Sequence, residues 1–171
     1  MLKYLRAFTS IEILITLIIV GILTTVGIIG FREVIQNNKA VTTSNALVAS
    51  FAYARSEAIQ QASLVSICPA ANSNLLSCAS NGNWANGWII FLDPTNTGTI
   101  SDTDNILKVH QALELGTQVN SNLTRFTFNA SGFLISGVDT VNISASGCTG
   151  NNGRQLTLTS TGRTDIVQSA C

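Results

Sequence analysis

A predominantly apolar run of 24 residues, 8–31, contains a single charged side chain, that of Glu12. An α-helix needs about 20 mostly apolar residues to cross the hydrocarbon core of a bilayer, so length alone predicts a membrane helix. A carboxylate in lipid costs at least a few kcal/mol and usually faces a partner. The next two turns, residues 13–19, are ILITLII and offer no cation. We therefore predict that Glu12 pairs with an amine of another molecule, exposed when a neighbouring chain is cut just before Phe8.

The seven residues before this run, MLKYLRA, carry Lys3 and Arg6. Basic residues ahead of a membrane helix favour a cytoplasmic N-terminus, although Arg32 just after the run weakens the contrast. An uncleaved signal anchor and an ordinary secretory signal peptide are the alternatives. A secretory signal has a shorter apolar region, of about 7–15 residues, that ends in a small-residue cleavage site. We therefore expect the rest of the chain to lie outside the cytoplasm.

Residues 7–17, AFTSIEILITL, resemble the class III signal of type IV pilins and pseudopilins. The resemblance implies that a prepilin peptidase cuts between Ala7 and Phe8, that the new amine of Phe8 is methylated, and that Glu12 guides filament assembly. Two residues depart from the family pattern. Ala7 stands where the family usually has Gly, and Ser10 where it usually has Leu. Alanine is small enough to be tolerated before the cut, so cleavage is still expected, and its efficiency is left open.

The helical pattern continues beyond the apolar run. Residues 32–61 contain no Pro or Gly, and an apolar series recurs at helical spacing, formed by Leu47, Phe51, Ala54 and Ala58. We predict one helix over residues 8–61, about 80 Å long at about 1.5 Å per residue. The predicted divisions are a cleaved leader at 1–7, a transmembrane half-helix at 8–31, a periplasmic half-helix at 32–61 and a β-rich head at 62–171.

From residue 62 the composition changes to Ser, Thr, Asn and Gly mixed with short apolar runs. These runs predict strands at residues 64–67, 88–92, 106–109, 126–128, 141–143 and 156–158. Glycines separate them, and Pro69 and Pro94 lie outside the strand centres. The predicted fold class is therefore α+β and pilin-like, with a long N-terminal helix packed against an antiparallel head.

All four cysteines fall in the head, at Cys68, Cys78, Cys148 and Cys171. An even number in an extracytoplasmic domain predicts two disulfides. Four cysteines allow three connectivities, of which sequence proximity favours Cys68 with Cys78 and Cys148 with Cys171. A zinc site is the alternative, but the chain has no CxxC pair and a single histidine, His110, which we interpret as a strand residue. We predict no metal.

The head also resembles one branch of the pilin superfamily, the FimT, FimU and GspH group. The similarity lies in residues 84–93, WANGWIIFLD, in residues 128–132, and in residues 156–163, LTLTSTGR. The resemblance implies a minor pilin that primes or caps type IV pili, or a minor pseudopilin of type II secretion.

One subset of that group binds DNA through a GRxR motif, and residues 162–165 here read GRTD. The second arginine is replaced by Asp165, which repels phosphate. From residue 63 onward the chain has four basic and six acidic residues. These charges argue against DNA binding, for which Arg154 and Arg163 are the candidate residues.

Two other kinds of site find little support. The loop at residues 93–104 spaces its oxygens like a calcium loop, but Thr95, Thr97 and Asp104 stand where an EF-hand needs Asp or Asn and a final Glu. An Asx-rich turn explains the loop better. No nucleophile elbow, phosphate-binding loop or catalytic triad can be assembled around one histidine, so we predict no enzyme, no cofactor and no small-molecule substrate.

Together these features predict a minor type IV pilin. It would cross the bacterial inner membrane once, with a cytoplasmic N-terminus and a periplasmic head, and then enter a pilus. The predicted partners are the prepilin peptidase, other minor pilins and the major pilin, the pilins being contacted through the N-terminal helices. A minor pseudopilin of a type II secretion system is the first alternative, and a DNA-binding pilin of natural transformation is the second.

Overall fold

The computed structural model describes the backbone of residues 8–171 and the side chains of residues 8–24 and 32–171. The predicted leader, with Lys3, Arg6 and the cleavage residue Ala7, lies outside the described residues. The chain divides into two units after Ile35. In the part of the chain that the structure describes, no helix is both long and apolar enough to cross a bilayer. The side chains of residues 25–31 lie outside that part, so the transmembrane half-helix stays a prediction.

One helix, α1, runs from Ser10 to Gln60, which confirms the predicted long helix to within two residues at each end. In the second unit its buried face is formed by Ala40, Leu47, Phe51, Ala54 and Ala58, each at most 1 % exposed. Their spacing of three, four or seven residues places them on one side of the helix. The face that the sequence predicted is therefore the one that packs.

The end of α1 is closed by a Schellman motif. Ala62 adopts a left-handed conformation with φ 46°, and its amide donates to the carbonyl of Ile59 at 3.3 Å. The amide of Ser63 donates to the carbonyl of Ala58 at 3.2 Å. These bonds satisfy carbonyls that the last turn leaves free, and they turn the chain towards the first strand.

Within residues 8–171, eight strands form two antiparallel sheets. They are β1 Val65–Pro69, β2 Trp88–Leu92, β3 Ile106–His110, β4 Thr117–Asn120, β5 Phe126–Phe128, β6 Asp139–Ala145, β7 Gly153–Leu158 and β8 Thr164–Ser169. The first sheet has the order β3-β2-β1-β5 and the second the order β4-β6-β7-β8. A 3₁₀ turn, Thr103–Asn105, precedes β3. The α+β class with an antiparallel head is confirmed.

Two strands, β4 and β8, were not predicted. The sequence of β4 is TQVN, in which Val119 is the only apolar residue. The β8 sequence TDIVQS shows no alternation, because this strand lies at a sheet edge and both Ile166 and Val167 are exposed. Pairing with β7 over six residues defines β8 instead. Backbone pairing of this kind leaves little trace in the hydrophobic pattern.

The core joins α1 to both sheets through aromatic side chains. Phe51 of α1 meets Phe126 at a centroid distance of 5.2 Å and Trp84 at 6.2 Å, both edge to face. The buried Trp88 indole donates to the Ser50 hydroxyl of α1 at 2.9 Å, which satisfies its N–H group. Side chains of β6 and β7 enter the same cluster, so one core serves the whole head.

The inner strands of the first sheet, β1 and β2, are buried on both faces. Trp88 and Ile90 of β2 point into the core beneath α1, whereas Ile89 and Phe91 enter a second cluster with Cys68 and Leu75. A strand covered on both sides needs apolar residues at every position, which explains the continuous run WIIFL.

The two disulfides are Cys68–Cys78 and Cys148–Cys171, with Cα separations of 5.6 and 5.5 Å. This confirms the two predicted bridges and the connectivity that proximity favours. The first ties β1 to the loop that follows it. The second fixes the residues after β8 beside the turn between β6 and β7.

Gly87 allows the chain between Trp84 and Trp88 to turn tightly and to lie close to the backbone of His110. It has φ 90°, its amide donates to the Trp84 carbonyl at 3.0 Å, and a Cβ there would overlap the carbonyl oxygen of His110. Only glycine combines this conformation with so close a contact.

We expect Gly87→Ala to destabilise the head more than Gly137→Ala. Gly137 also has a positive φ, of 101°, but no atom lies within 4 Å of its added Cβ. The control substitution therefore adds backbone strain alone, of about 1–3 kcal/mol. Gly87→Ala adds overpacking of about 1–3 kcal/mol. Urea unfolding of the purified full chain in detergent measures both, and equal losses would contradict the close contact.

Candidate functional site

The first turn of α1 holds Glu12 in a capping box. The Thr9 amide and hydroxyl donate to Oε2 of Glu12 at 3.0 and 3.1 Å, and the Glu12 amide donates back to Oγ1 of Thr9 at 3.4 Å. This reciprocal bonding satisfies amides that the helix start leaves without partners. The carboxylate is therefore held in one orientation at the N-terminus of the helix.

Sequence analysis missed this role of Thr9, although the spacing Thr-x-x-Glu ahead of an apolar run is its usual signal. Both donors from Thr9 are neutral, so they orient the charge of Glu12 without cancelling it. Oε1 accepts no hydrogen bond from any residue that the structure describes. The positive partner predicted for Glu12 stays a prediction.

The apolar side chains around Glu12 are exposed. Those of Phe8, Ile11, Leu14, Leu17 and Leu23 are between 54 and 81 % exposed. An uncovered apolar surface of this kind marks an interaction with another protein or with a membrane. Within residues 8–24, this stretch of α1 has the character of a helix that packs against something outside its own chain.

Arg154, a candidate DNA contact, is occupied within the chain. Its Nη2 donates to Oδ1 of Asn37 on α1 at 2.6 Å, and its Nη1 donates to the Gly153 carbonyl at 2.7 Å. The side chain is partly buried and connects β7 to the helix. Arg154 therefore has a structural role.

Arg163, the second candidate, lies at the other end of β7. Its side chain is 75 % exposed, and its Nη2 lies 3.2 Å from Oδ1 of Asp165. Leu158 pairs with Thr164, so about 13 Å of strand separates Arg154 from the turn that carries Arg163. The structure does not bring the two arginines together, and the aspartate that replaces the second arginine of GRxR binds the first.

The loop after β2 is organised by a buried carboxylate. Asp93 is 2 % exposed and accepts hydrogen bonds from the amides of Thr97 at 2.8 Å and Gly98 at 3.0 Å. Arg125 and Ser66 also donate to it, at 2.9 and 2.8 Å. Its oxygens are thus directed at the protein. In the described residues no group of three His, Cys, Asp or Glu side chains could hold a metal ion.

His110 ends β3 and stacks on Trp88 at a centroid distance of 3.8 Å. Its Nδ1 lies 2.8 Å from the carbonyl oxygen of Gln111. The interpretation of His110 as a strand residue is confirmed.

Solved structures of a minor pilin and of a minor pseudopilin share this fold. The FimU minor pilin of the type IV pili of Pseudomonas aeruginosa strain PAO1 superposes with a TM-score of 0.60 at 25 % identity, over 76 % of this chain and 89 % of FimU. The minor pseudopilin EpsH of the Vibrio cholerae type 2 secretion system superposes with a TM-score of 0.54 at 12 % identity, over 76 % of this chain and 97 % of EpsH. The second similarity concerns the fold alone. A comparison with curated protein sequences found no match.

The family described as "Type II transport protein GspH" matches residues 43–162. This range begins in the packed half of α1 and ends at the turn between β7 and β8, and it includes more than half of the chain. The protein therefore belongs to the GspH family of minor pilins and pseudopilins.

Proposed function

We propose that this protein is a minor type IV pilin, a structural subunit that helps to initiate or cap a pilus. The observation that carries the proposal is the similarity to FimU, which spans 89 % of that minor pilin at 25 % identity. The exposed apolar side chains of α1 within residues 8–24, with the oriented carboxylate of Glu12, support it. A role in assembly rather than catalysis agrees with the GspH family to which the chain belongs.

In the proposed sequence of events the chain is inserted in the inner membrane and cut between Ala7 and Phe8. The new amine of Phe8 is then methylated. The cut leaves the peptide bond between Phe8 and Thr9 intact, so the Thr9 amide still donates to Glu12 after processing. The capping box can therefore hold the carboxylate ready while the subunit waits to be incorporated.

Docking then depends on the charge of Glu12. In a low-dielectric membrane an unpaired carboxylate is costly, and an ammonium group that approaches it is strongly attracted. Thr9 binds Oε2 and leaves Oε1 free within the described chain, so the amine of an adjacent pilin can approach Oε1. The helices would bundle as the filament core, with the β heads at the surface.

A minor pseudopilin of a type II secretion system is the alternative. The description of the matching family favours it, and the EpsH similarity is compatible with it. A cleavage signal, a helical stalk and a β head serve both machines, so the genetic test has to separate them. In either case the partners would be other pilins or pseudopilins, and the head would lie in the periplasm.

We expect the mature chain to begin with N-methylated phenylalanine at position 8. Mass spectrometry of protein purified from the native host would show the loss of residues 1–7 and the added methyl group. A parallel sample from a strain without prepilin peptidase should retain Met1. An intact N-terminus in the native strain, or a start at any other residue, would contradict the proposal.

We expect Glu12→Gln to reduce incorporation into filaments without destabilising the helix start. Glutamine is also found at this position of a capping box, so the bonds to Thr9 can persist while the charge is lost. Quantitative immunoblotting of sheared filaments against membranes measures the effect.

The matched control is Thr9→Val, which removes the hydroxyl of the cap and keeps the charge of Glu12. Loss of an N-cap hydroxyl costs about 1 kcal/mol of helix stability, so this variant should be incorporated far better than Glu12→Gln. If Glu12→Gln enters filaments as efficiently as the wild-type chain, the charge has no docking role.

A deletion strain scored for three phenotypes distinguishes the proposed functions. A minor pilin predicts the loss of surface pili and twitching, with secretion unchanged. A minor pseudopilin predicts secreted proteins retained in the periplasm, with normal pili. Loss of natural transformation alone, with pili and secretion intact, would instead indicate a DNA receptor.

A further inference from the structure

A pocket of about 350 Å³ lies on the head where the exposed side of α1 meets the turn between β7 and β8. Ala52, Ser56 and Ile59 line it from the helix, and Gly162 and Thr164 from the turn. Two arginines, Arg55 and Arg163, complete the lining. The pocket thus combines a short apolar strip with two positive charges.

Arg55 has no counter-ion among the described residues. Its side chain is partly buried, and no described residue forms an ion pair or a hydrogen bond with it. Its Nε is fully buried without a partner. This N–H group has lost its solvation without gaining a hydrogen bond, which costs free energy. An anion bound in the pocket would supply the counter-charge that Arg55 lacks.

The Arg55 side chain packs closely against two glycines. A Cβ on Gly162 would lie 3.3 Å from Cδ of Arg55, and one on Gly132 would lie 3.0 Å from its Nε. Gly162 also has φ 73°, which lets the turn close onto the helix. The arginine is therefore packed between two loops, so less side-chain entropy remains to be lost when it binds a ligand.

The charges around the pocket favour a single carboxylate over a polyanion. Binding to DNA strengthens with the number of phosphates that cations neutralise. Here only two cations line the site, and Arg163 is already 3.2 Å from Asp165. A guanidinium binds a carboxylate through two parallel hydrogen bonds, which suits one acidic side chain. Ile59, 51 % exposed, would cover an apolar residue beside that acid.

We propose that this pocket receives an acidic side chain, flanked by an apolar residue, from the head of a neighbouring filament subunit. The inference rests on the proposed function, since it requires a filament. Arg55 supplies the uncompensated charge. Arg163 exchanges its contact with Asp165 for the incoming carboxylate, and Ile59 and Ala52 cover the flanking residue.

Photocrosslinking in the native host tests the proposal. Ser56, or in a second strain Thr164, is replaced by p-benzoylphenylalanine in the full chain, and filaments are sheared after irradiation. We expect an adduct with another filament subunit, mapped next to an Asp or Glu. Arg55→Glu and Arg163→Glu should each reduce its yield by about tenfold, because they replace attraction with repulsion. Arg55→Lys, which keeps the charge, should retain part of the yield.

Lys108→Glu is the matched control, because it makes the same charge change at an exposed position of β3 outside the pocket. It should leave the adduct unchanged. Folding is checked in every variant by the presence of both disulfides and by a melting temperature within about 2 °C of wild type.

The other possible outcomes of this experiment contradict either the role of the pocket or the proposed function. An adduct that is insensitive to both arginine reversals, or equally sensitive to Lys108→Glu, overturns the role of the pocket. The absence of an adduct at both positions, in filaments that contain the chain, overturns the pocket and leaves the proposed function standing. An adduct that nuclease removes assigns the pocket to nucleic acid. A chain absent from wild-type filaments overturns the proposed function itself.

Discussion

The packing of Phe51 against Trp84 and Phe126 is the contact on which the head depends. It brings one face of α1 onto the first sheet, and the neighbouring residue Ser50 accepts the indole N–H of Trp88. Residues of β6 and β7 complete the same cluster, so the second sheet has no core of its own. The helix is therefore the element around which both sheets are organised, and without it neither sheet could bury its inner face.

Much of this arrangement could be predicted from local patterns. The helical spacing of Leu47 and Phe51 predicted the buried face of α1, and the run WIIFL predicted β2, since burial selects apolar residues directly. Strand β8 was not predicted, because its pairing with β7 is made by backbone groups that any residue carries. The sequence also could not show that Arg154 binds Asn37, because that contact joins residues 117 positions apart.

The two candidate sites share a physical logic. Glu12 and Arg55 each carry a charge that no residue in the described chain neutralises, and each is held in a defined orientation, by Thr9 in one case and by two glycines in the other. A monomer that keeps such charges unpaired has a less stable surface than it could have. In the proposed filament, correct neighbours would supply the missing counter-charges, and this requirement would make assembly specific.

The disulfide between Cys148 and Cys171 limits where strands of the second sheet can separate. Strand β8 lies at one edge of the sheet and exposes Ile166 and Val167, so without this bond it would fray readily. The bond holds the Cys171 side of the strand beside the turn after β6. Separation of β8 from β7 must then begin at the opposite end of the strand, where Gly162 packs closely against Gly132 and Arg55. In the proposed filament, tension along the fibre would act on an edge strand that the disulfide fixes at one end and that close packing at Gly162 holds at the other.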